Sequence, residues 1–416
     1  MIKSFLIKKL ILLFFIGLFS GVAQEKIEPE YIKTIIFKGE NSDAQLPIVQ
    51  LGERFSLSFD DLNANETDYY YSITHCNYNW EPSQLLKSEY LGGIDDTKIT
   101  NYTNSYGTLQ PYTNYHLTLP NDDVSFKLTG NYILAITDAQ QNIIFTRRFI
   151  IYSDIATVQL SVIQSRDIKF SDEKQSVQFR ISSKYLQFQN PESSINICIL
   201  QNYRWNNAIT NIKPQFFIGN DLVYKYDKET SFYGGNEYLY FENRDLRVPT
   251  SGVISSERID NQFFSTLFTN IPRQGLPYTY NPDINGNFRI VTDHGTNPLS
   301  EAEYSQVEFN LSPKNYHPDD EIFVYGLFSN NQLLPMYQLH YDAEKDIYRG
   351  KVYLKQGFYN YKFAVKRSGK EDYNSIGGNH YQTENNYTII VYYRPVGELY
   401  DKVIGIGSLN STQVSR

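Results

Sequence analysis

Histidines and cysteines are the first side chains to consider for metal binding or catalysis. The six histidines are His75, His116, His294, His317, His340 and His380. No two of them have the spacing of an H-E-x-x-H motif, which places two imidazoles on one face of a helix. Cys76 and Cys198 are far apart in the chain and are expected to be buried and unpaired. The sequence therefore predicts no metal centre and no cofactor site.

Patterns for phosphate binding and for nucleophilic catalysis are also missing. The chain contains neither a G-x-x-x-x-G-K loop nor a G-x-S-x-G elbow. Asp319, Asp320 and Glu321 form an acidic cluster before a predicted strand, and we interpret it as a solvated turn rather than a metal site. The carboxylates of a glycosidase are defined by their separation in space. A hydrolase therefore stays open as a third hypothesis, behind protein binding and glycan binding.

One short segment has the oxygen ligands of a calcium loop. Asp283-Ile284-Asn285-Gly286-Asn287 places carboxylate and amide side chains at alternate positions. The glutamate that closes such a loop is missing, because Phe288-Arg289-Ile290 follows. Asn-Gly is also a strong turn signal. We therefore predict a turn here and not a calcium site.

Aromatic residues are the best candidates for contacts with a partner. The chain has 36 tyrosines and 26 phenylalanines, and tyrosine is enriched at protein interfaces. The predicted partner-binding residues are Phe232, Tyr233, Tyr238 and Tyr240, which flank Gly234-Gly235. The alternative is that these aromatic side chains build the core of their own unit.

The elements that carry these residues are predicted to be strands. Tyr359, Tyr361, Phe363 and Val365 alternate with more polar residues, which is the period of a half-buried strand. Similar short runs, separated by polar turns such as Asp138 to Asn142, recur along the chain. The pattern predicts an all-β fold of tandem immunoglobulin-like β-sandwich domains.

A chain of 416 residues exceeds what one hydrophobic core usually holds. We predict an N-terminal immunoglobulin-like sandwich over 24–154, a middle β-rich domain over 155–303 and a C-terminal sandwich over 304–400. Residues 401–416 are predicted to be a flexible tail.

The first residues have the features of a secretory signal peptide, predicted over residues 1–23. Three lysines precede the apolar run Leu10 to Phe19, and Gly21-Val22-Ala23 supplies small residues for cleavage before Gln24. The chain has a net charge of −8, which becomes more negative when the leader lysines are removed. An acidic chain is not expected to bind nucleic acid.

The third unit resembles the glycogen-binding modules that accompany glycan-active enzymes. The similarity lies in Val324 to Phe328, Tyr348-Arg349-Gly350 and Gln356 to Phe363. Such modules stack sugars on an exposed tryptophan, and Asn330-Asn331-Gln332 stands at the equivalent place. The resemblance therefore favours the fold over the sugar-binding function. A periplasmic or surface glycan-binding protein is the alternative function.

A second resemblance covers all three units in order. In the first unit it rests on His75-Cys76-Asn77, Trp80, Pro82-Ser83, Glu89-Tyr90-Leu91, Gly93, Leu119-Pro120-Asn121, Gly130-Asn131-Tyr132 and Arg147-Arg148-Phe149. In the second it rests on Gln201-Asn202-Tyr203-Arg204-Trp205, Gly234-Gly235-Asn236-Glu237 and the Asp283 to Asn287 turn. In the third it rests on Gly378-Asn379-His380-Tyr381-Gln382-Thr383-Glu384-Asn385. With these strings, the mature chain resembles the plug protein family of the type IX secretion system of Bacteroidetes.

This resemblance implies a non-enzymatic periplasmic protein that associates peripherally with the outer membrane. Its implied partner is the giant outer-membrane β-barrel translocon, whose periplasmic opening it would plug. No nucleic acid, small-molecule substrate, cofactor or direct membrane span is implied. Trp80 and Trp205 are expected to serve core or inter-unit packing.

Overall fold

The structure, a computed structural model, describes residues 25–313 and 320–413. The predicted signal peptide, residues 1–23, lies outside these ranges. Helix within them is limited to single turns. The α-helical turns are α1 (Lys87–Tyr90), α2 (Pro191–Ser194) and α3 (Pro298–Glu301), and the 3-10 turns are Ile168–Phe170, Leu327–Ser329, Pro335–Tyr337 and Ser411–Gln413. No helix in the described ranges is long and apolar enough to cross a membrane.

The first unit is a two-sheet sandwich. Its strands are β1 (Ile32–Gly39), β2 (Ile48–Gln50), β3 (Phe55–Asp61), β4 (Tyr70–Cys76), β5 (Leu91–Gly93), β6 (Thr97–Lys98), β7 (Tyr102–Asn104), β8 (Thr113–Leu119), β9 (Val124–Phe126), β10 (Gly130–Thr137) and β11 (Ile143–Tyr152). One sheet has the order β1-β3-β8-β7 and the other β2-β11-β10-β4-β6, while β5 pairs with β9. Alternate residues of β10, such as Tyr132, Leu134 and Ile136, point into the core between the sheets.

The middle unit begins with seven strands. They are β12 (Thr157–Gln164), β13 (Lys174–Ser182), β14 (Ile195–Gln201), β15 (Arg204–Thr210), β16 (Phe216–Ile218), β17 (Asp221–Tyr224) and β18 (Ser231–Tyr233). β12, β13, β17 and β16 form one sheet in that order, with β18 also paired to β13. β14 and β15 begin the opposing sheet.

The third unit starts earlier than predicted. Its strands are β19 (Leu239–Glu242), β20 (Val253–Ile259), β21 (Gln262–Asn270), β22 (Phe288–Ile290), β23 (Tyr304–Leu311), β24 (Glu321–Tyr325), β25 (Gln338–Asp342), β26 (Ile347–Lys355), β27 (Gly357–Arg367) and β28 (Lys370–Asp372). The sheet order is β19-β27-β24-β25-β26-β23-β21-β20, and β22 and β28 also pair with β27. Because β19 to β22 belong to this sheet, the predicted boundary at residue 303 lies inside the third unit.

The chain then returns to the middle unit. β29 (Asn386–Tyr393) and β30 (Lys402–Asn410) complete the second middle sheet in the order β15-β14-β29-β30. The predicted end of the third unit at residue 400 therefore differs from the strand pairing, and the third unit is an insertion in the middle unit. The prediction of a flexible tail over 401–416 is wrong for residues 402–410, which form β30, and residues 414–416 lie outside the described residues.

Glycines explain why β30 resembled a tail in the sequence. A Cβ atom on Gly405 would overlap the carbonyl oxygen of Ala156, and one on Gly407 would lie 2.7 Å from the Cβ of Val158. These glycines let β30 approach the start of the middle unit closely. Val403 is buried beside them.

The prediction of an all-β fold of tandem β-sandwiches is confirmed.

β27 is buried on both of its faces. Tyr359 and Tyr361 point into the core of the third unit, as the alternating pattern predicts. The opposite face, predicted to meet solvent, is buried as well, since Asn360 is 0% and Lys362 8% exposed. The turn that contains Ile284 covers Asn360, and the segment that connects β18 to β19 lies beside Lys362.

Candidate functional site

Several of the side chains that carry the family resemblance lie at the junctions between the three units, while others, such as Tyr90 and Phe149, lie in the core of the first unit. The first and middle units meet at Trp80, in the turn after β4, and Trp205 of β15. Their rings pack edge to face with centroids 4.9 Å apart. The Arg148 guanidinium lies 4.6 Å from the Trp80 ring and 5.5 Å from the Trp205 ring. A cation–π contact or an aromatic pair of this kind contributes about 0.5–2 kcal/mol to stability. The tryptophans therefore serve inter-unit packing.

Polar contacts extend the same junction. The Asn131 amide accepts a hydrogen bond from the Tyr392 hydroxyl at 2.9 Å and donates to the backbone carbonyl of Asn77 at 3.0 Å. Arg394 donates to the Asn77 side chain and, at 2.7 Å, to Asp401. Strand β29 and the turn before β30 are therefore bonded to the first unit as well as to their own sheet.

The first and third units are joined by a buried ion pair. Lys355 Nζ lies 2.7 Å from Asp60 Oδ2, and both side chains are fully buried. The Tyr304 hydroxyl donates to the same carboxylate oxygen at 2.6 Å, and the ammonium lies 3.9 Å from the centroid of the Tyr112 ring. Burial lowers the pKa of Lys355, while the attraction of Asp60 opposes this shift. Because both charges are buried and hydrogen-bonded, removing one partner is expected to lower the stability of the folded protein strongly.

The Gly234-Gly235 string lies at the junction of the middle and third units, on the connection from β18 to β19 and against the connection from β28 to β29. A Cβ atom on Gly234 would overlap the carbonyl oxygen of His380, and Gly235 has a positive φ of 66°. The Gly235 carbonyl accepts from the His380 backbone N–H at 2.8 Å. Asn385 donates to the Gly234 carbonyl at 2.9 Å and accepts from the Asn202 amide at 2.8 Å. Close backbone approach is therefore the reason for glycine here.

A cluster of ionisable side chains is enclosed next to this contact. Lys362 Nζ lies 3.8 Å from the centroid of the Tyr238 ring. Burial lowers the pKa of Lys362 to about 7, with Asp283 opposing the shift and the nearby Arg204 and Arg273 adding to it. Burial also raises the pKa of Asp283. The cluster is a charged network between two units, and its lysine titrates near neutral pH.

The predicted turn at Asp283 to Asn287 is confirmed. Asn285 and Gly286 have φ values of 54° and 84°, and a Cβ atom on Gly286 would lie 2.7 Å from the Tyr238 ring. The Asp283 carboxylate accepts from the backbone N–H groups of Tyr238 and Asn285. These hydrogen bonds hold the turn against the segment that connects β18 to β19. The Asp283 carboxylate therefore has a structural role.

The acidic cluster before β24 is not a solvated turn throughout. Asp319 lies outside the described residues, but Asp320 is buried and accepts from Arg367 Nη2 at 2.6 Å. Within residues 25–313 and 320–413, no group of three or more His, Cys, Asp or Glu side chains is arranged to hold a metal ion.

The four predicted partner-binding residues divide into two pairs. Phe232 and Tyr238 are buried, and Phe232 packs against Tyr387 with ring centroids 5.4 Å apart. Tyr233 and Tyr240 are 39% and 36% exposed. Tyr240 stacks on Phe358 with centroids 5.6 Å apart. The structure therefore leaves Tyr233 and Tyr240 accessible to a partner and assigns the other two to packing.

A large cleft opens where the three units meet. Its volume is 760 Å³, and its lining includes Arg147 and Glu28 from the first unit, Trp205 from the middle unit and Asn331 and Gln332 from the third. Arg147 and Glu28 are ion-paired at 2.8 Å. The Trp205 ring contacts Trp80 and Arg148, so that it is not a free stacking platform for a sugar.

Sequence reasoning missed the buried charges at the junctions. Lys355 and Lys362 lie on strands whose alternation assigns lysine to solvent, and Asp60 lies in a run of polar and apolar residues with no distinguishing motif. Only the Gly234-Gly235 and Asn285-Gly286 pairs carried a local signal, because glycine at such positions indicates close backbone approach.

A comparison with protein families identifies the family of the first unit. The sequence profile of the type 9 secretion system plug protein, first domain, matches residues 32–153. This range covers the first unit from β1 to the end of β11. A search of curated proteins finds no significant match.

A solved structure extends the similarity to nearly the whole chain. The crystal structure of a hypothetical protein from Parabacteroides merdae ATCC 43184 is 33% identical, with a TM-score of 0.88, and the match covers 93% of this chain and 98% of that chain. The native conformation of E. coli alpha-2-macroglobulin is 9% identical over 92% of this chain and 22% of that chain. The TM-score of that match is 0.17. The chain belongs to the plug protein family of the type IX secretion system.

Proposed function

We propose that the protein binds the giant outer-membrane barrel of the type IX secretion system from the periplasm and closes its opening without catalysing a reaction. The observation that carries this proposal is membership of the plug family, based on the match to the first unit and the similarity across the other two. A plug needs a wide contact and a body that does not deform, and it needs no reaction chemistry.

The inter-unit contacts support this role. The Trp80–Trp205 contact joins the first unit to the middle unit, and the buried Lys355–Asp60 pair joins the first unit to the third. The Gly234–His380 contact joins the middle and third units. Each junction uses buried side chains or close backbone approach, which resists sliding between units. Three junctions of this kind suit a body that obstructs an opening.

The test is native affinity purification of the tagged, exported protein from detergent-solubilised outer membrane, with partners identified by mass spectrometry. We expect one very large β-barrel protein in near-equal amount. Recovery of no barrel in several mild detergents would contradict the proposal.

Glycan binding is the second candidate, because Asn331 and Gln332 line the cleft and stand where the glycogen-binding modules that the third unit resembles carry a sugar-stacking tryptophan. Amide side chains can bond to sugar hydroxyls. A pull-down with insoluble polysaccharides tests it, together with tryptophan fluorescence, since Trp205 lines the same cleft. Polysaccharide binding that changes the fluorescence would favour this candidate.

A further inference from the structure

The third unit presents a free strand edge. β20 is the last strand of its sheet, and within the described residues it pairs only with β21. Near its start, Glu242 N–H of β19 donates to the Ser251 carbonyl at 2.8 Å. From Ser255 to Ile259 no described strand pairs with the outer side of β20. A free strand edge is a template for pairing with another chain.

The hairpin geometry identifies the backbone groups that face outward. Asp260 and Asn261 form a two-residue turn, and Ile259 is paired with Gln262 on either side of it. In such a hairpin the flanking pair exchanges backbone hydrogen bonds, and alternate pairs along the strands do the same. The N–H and C=O groups of Ser256 and Arg258 therefore point away from β21, toward the free side.

Apolar side chains flank this edge. Ile254 is 54% and Phe268 56% exposed. The Gly252 carbonyl accepts from the Phe268 N–H at 3.2 Å, and a Cβ atom on Gly252 would lie 2.7 Å from the Tyr240 carbonyl oxygen. Tyr240, which the sequence singled out for partner binding, is thus adjacent to the same hairpin. Large apolar side chains grouped beside unpaired backbone indicate a contact surface.

The chemistry of the edge specifies its occupant. Outward N–H and C=O groups are matched by the backbone of an extended segment, which adds as one more strand. Natural edges are protected by charged side chains, above all lysine, and by proline or bulges. The free stretch Ser255 to Ile259 contains neither lysine nor proline, and the bulge of β20 falls before it, between Val253 and Ser255. Its two charged residues, Glu257 and Arg258, have opposite signs and do not give the edge a net charge. A second copy is disfavoured as occupant, because two chains of net charge −8 repel each other.

We propose that β20 binds an extended segment of the outer-membrane barrel as an added strand, with Ile254, Phe268 and Tyr240 covering apolar side chains of that segment. This inference rests on the proposed function and names the surface that the plug uses.

The test compares Ser256→Pro with the matched control Ser256→Ala in the exported full chain. Proline removes the outward N–H of residue 256 and is tolerated where that group bonds to no neighbouring strand. Alanine keeps the N–H. The readout is the amount of barrel captured from detergent-solubilised outer membrane. We expect Ser256→Pro to reduce capture by about tenfold or more, while Ser256→Ala captures as much as the wild type.

Equal capture by the wild type and both variants would overturn the inference and leave the proposed function intact. Failure of the wild type to capture the barrel would overturn both. Thermal unfolding of the purified variants checks that the proline variant is folded.

A second measurement tests the proposal even if the proline variant does not fold. A photo-crosslinking phenylalanine analogue replaces Ser256 in one version and Gln140, in the exposed turn after β10, in another. A crosslink from position 256 to a barrel segment, not formed from position 140, supports the proposal. A crosslink to a second copy of the chain, or none, overturns it.

Discussion

Lys355 and Asp60 are 295 residues apart in the sequence, yet their charged atoms lie 2.7 Å apart in a site closed to water. The pair joins the third unit to the first. Substitution Lys355→Met leaves the Asp60 carboxylate buried without its cation, and we expect the free energy of unfolding to fall by about 3–5 kcal/mol. Urea unfolding measures this change.

The double variant Lys355→Met/Asp60→Asn is the control for that prediction. It removes both charges and keeps an amide that can bond to Asn114 and Tyr304, which contact Asp60. Most of the lost stability is expected to return. A single variant that loses less than about 1 kcal/mol would show that the pair contributes little.

The pKa of Lys362 predicts a pH dependence. Burial lowers this pKa to about 7, whereas it is about 10.5 in the unfolded chain. Between these values the unfolded state binds more protons than the folded state, so that the contribution of Lys362 to stability rises with pH. The unfolding free energy of the wild type minus that of Lys362→Met should increase by about 2 kcal/mol from pH 7 to pH 9. A flat difference would contradict the buried state of this lysine.

Gly234 provides a steric test of the junction between the middle and third units. A methyl group at this position would overlap the carbonyl oxygen of His380. Gly234→Ala is therefore expected to lower stability by about 1–3 kcal/mol. Gly377→Ala is the matched control, because the nearest atom to its Cβ would be 3.8 Å away, and it should change stability by less than about 0.5 kcal/mol.

The two tryptophans should report the first junction directly. They are the only tryptophans of the chain, and their rings are in contact. Trp205→Ala removes an aromatic contact and a cation–π contact, for which we expect a loss of about 1–3 kcal/mol. Limited proteolysis should then cut between the first and middle units faster than in the wild type. Unchanged proteolysis would show that the polar contacts of Asn131 and Arg394 hold the junction alone.

The predicted partner-binding residues can be separated by paired measurements. Phe232→Ala should lower stability by about 3–5 kcal/mol, because Phe232 is buried against Tyr387. Tyr240→Ala should leave thermal unfolding nearly unchanged and reduce capture of the barrel. Capture that is unaffected by Tyr240→Ala and Tyr233→Ala together would remove both residues from the contact surface.

Local features of the fold could be predicted from the sequence. The polar turn Asp138 to Asn142 separates β10 from β11 as its composition indicates, since β10 ends at Thr137 and β11 begins at Ile143. The Asn285-Gly286 turn was recognised for the same reason. In both cases the signal depends on residues that are neighbours in the chain, and no distant element changes it.

Long-range pairing could not be predicted in the same way. Nothing local to β29 or β30 shows that their partner is β14, which lies on the other side of the third unit in the sequence. The alternation of apolar and polar residues on β27 assigned Lys362 to solvent. Such a pattern contains no information about another part of the protein that covers the polar face. Aromatic residues have the same ambiguity, since Tyr238 is buried and Tyr240 is 36% exposed although both are tyrosines.

The return of β29 and β30 to the middle unit has a consequence for the order of folding. During synthesis, β14 and its neighbour β15 are made before the whole third unit, while β29, which pairs with the other edge of β14, is made afterwards. The middle sandwich therefore stays incomplete until the third unit has been synthesised. The first unit, in contrast, is complete as soon as β11 has been made. A nascent chain of this protein therefore carries an unpaired β14 edge until β29 has been synthesised, and during this interval that edge is open to pairing with another chain.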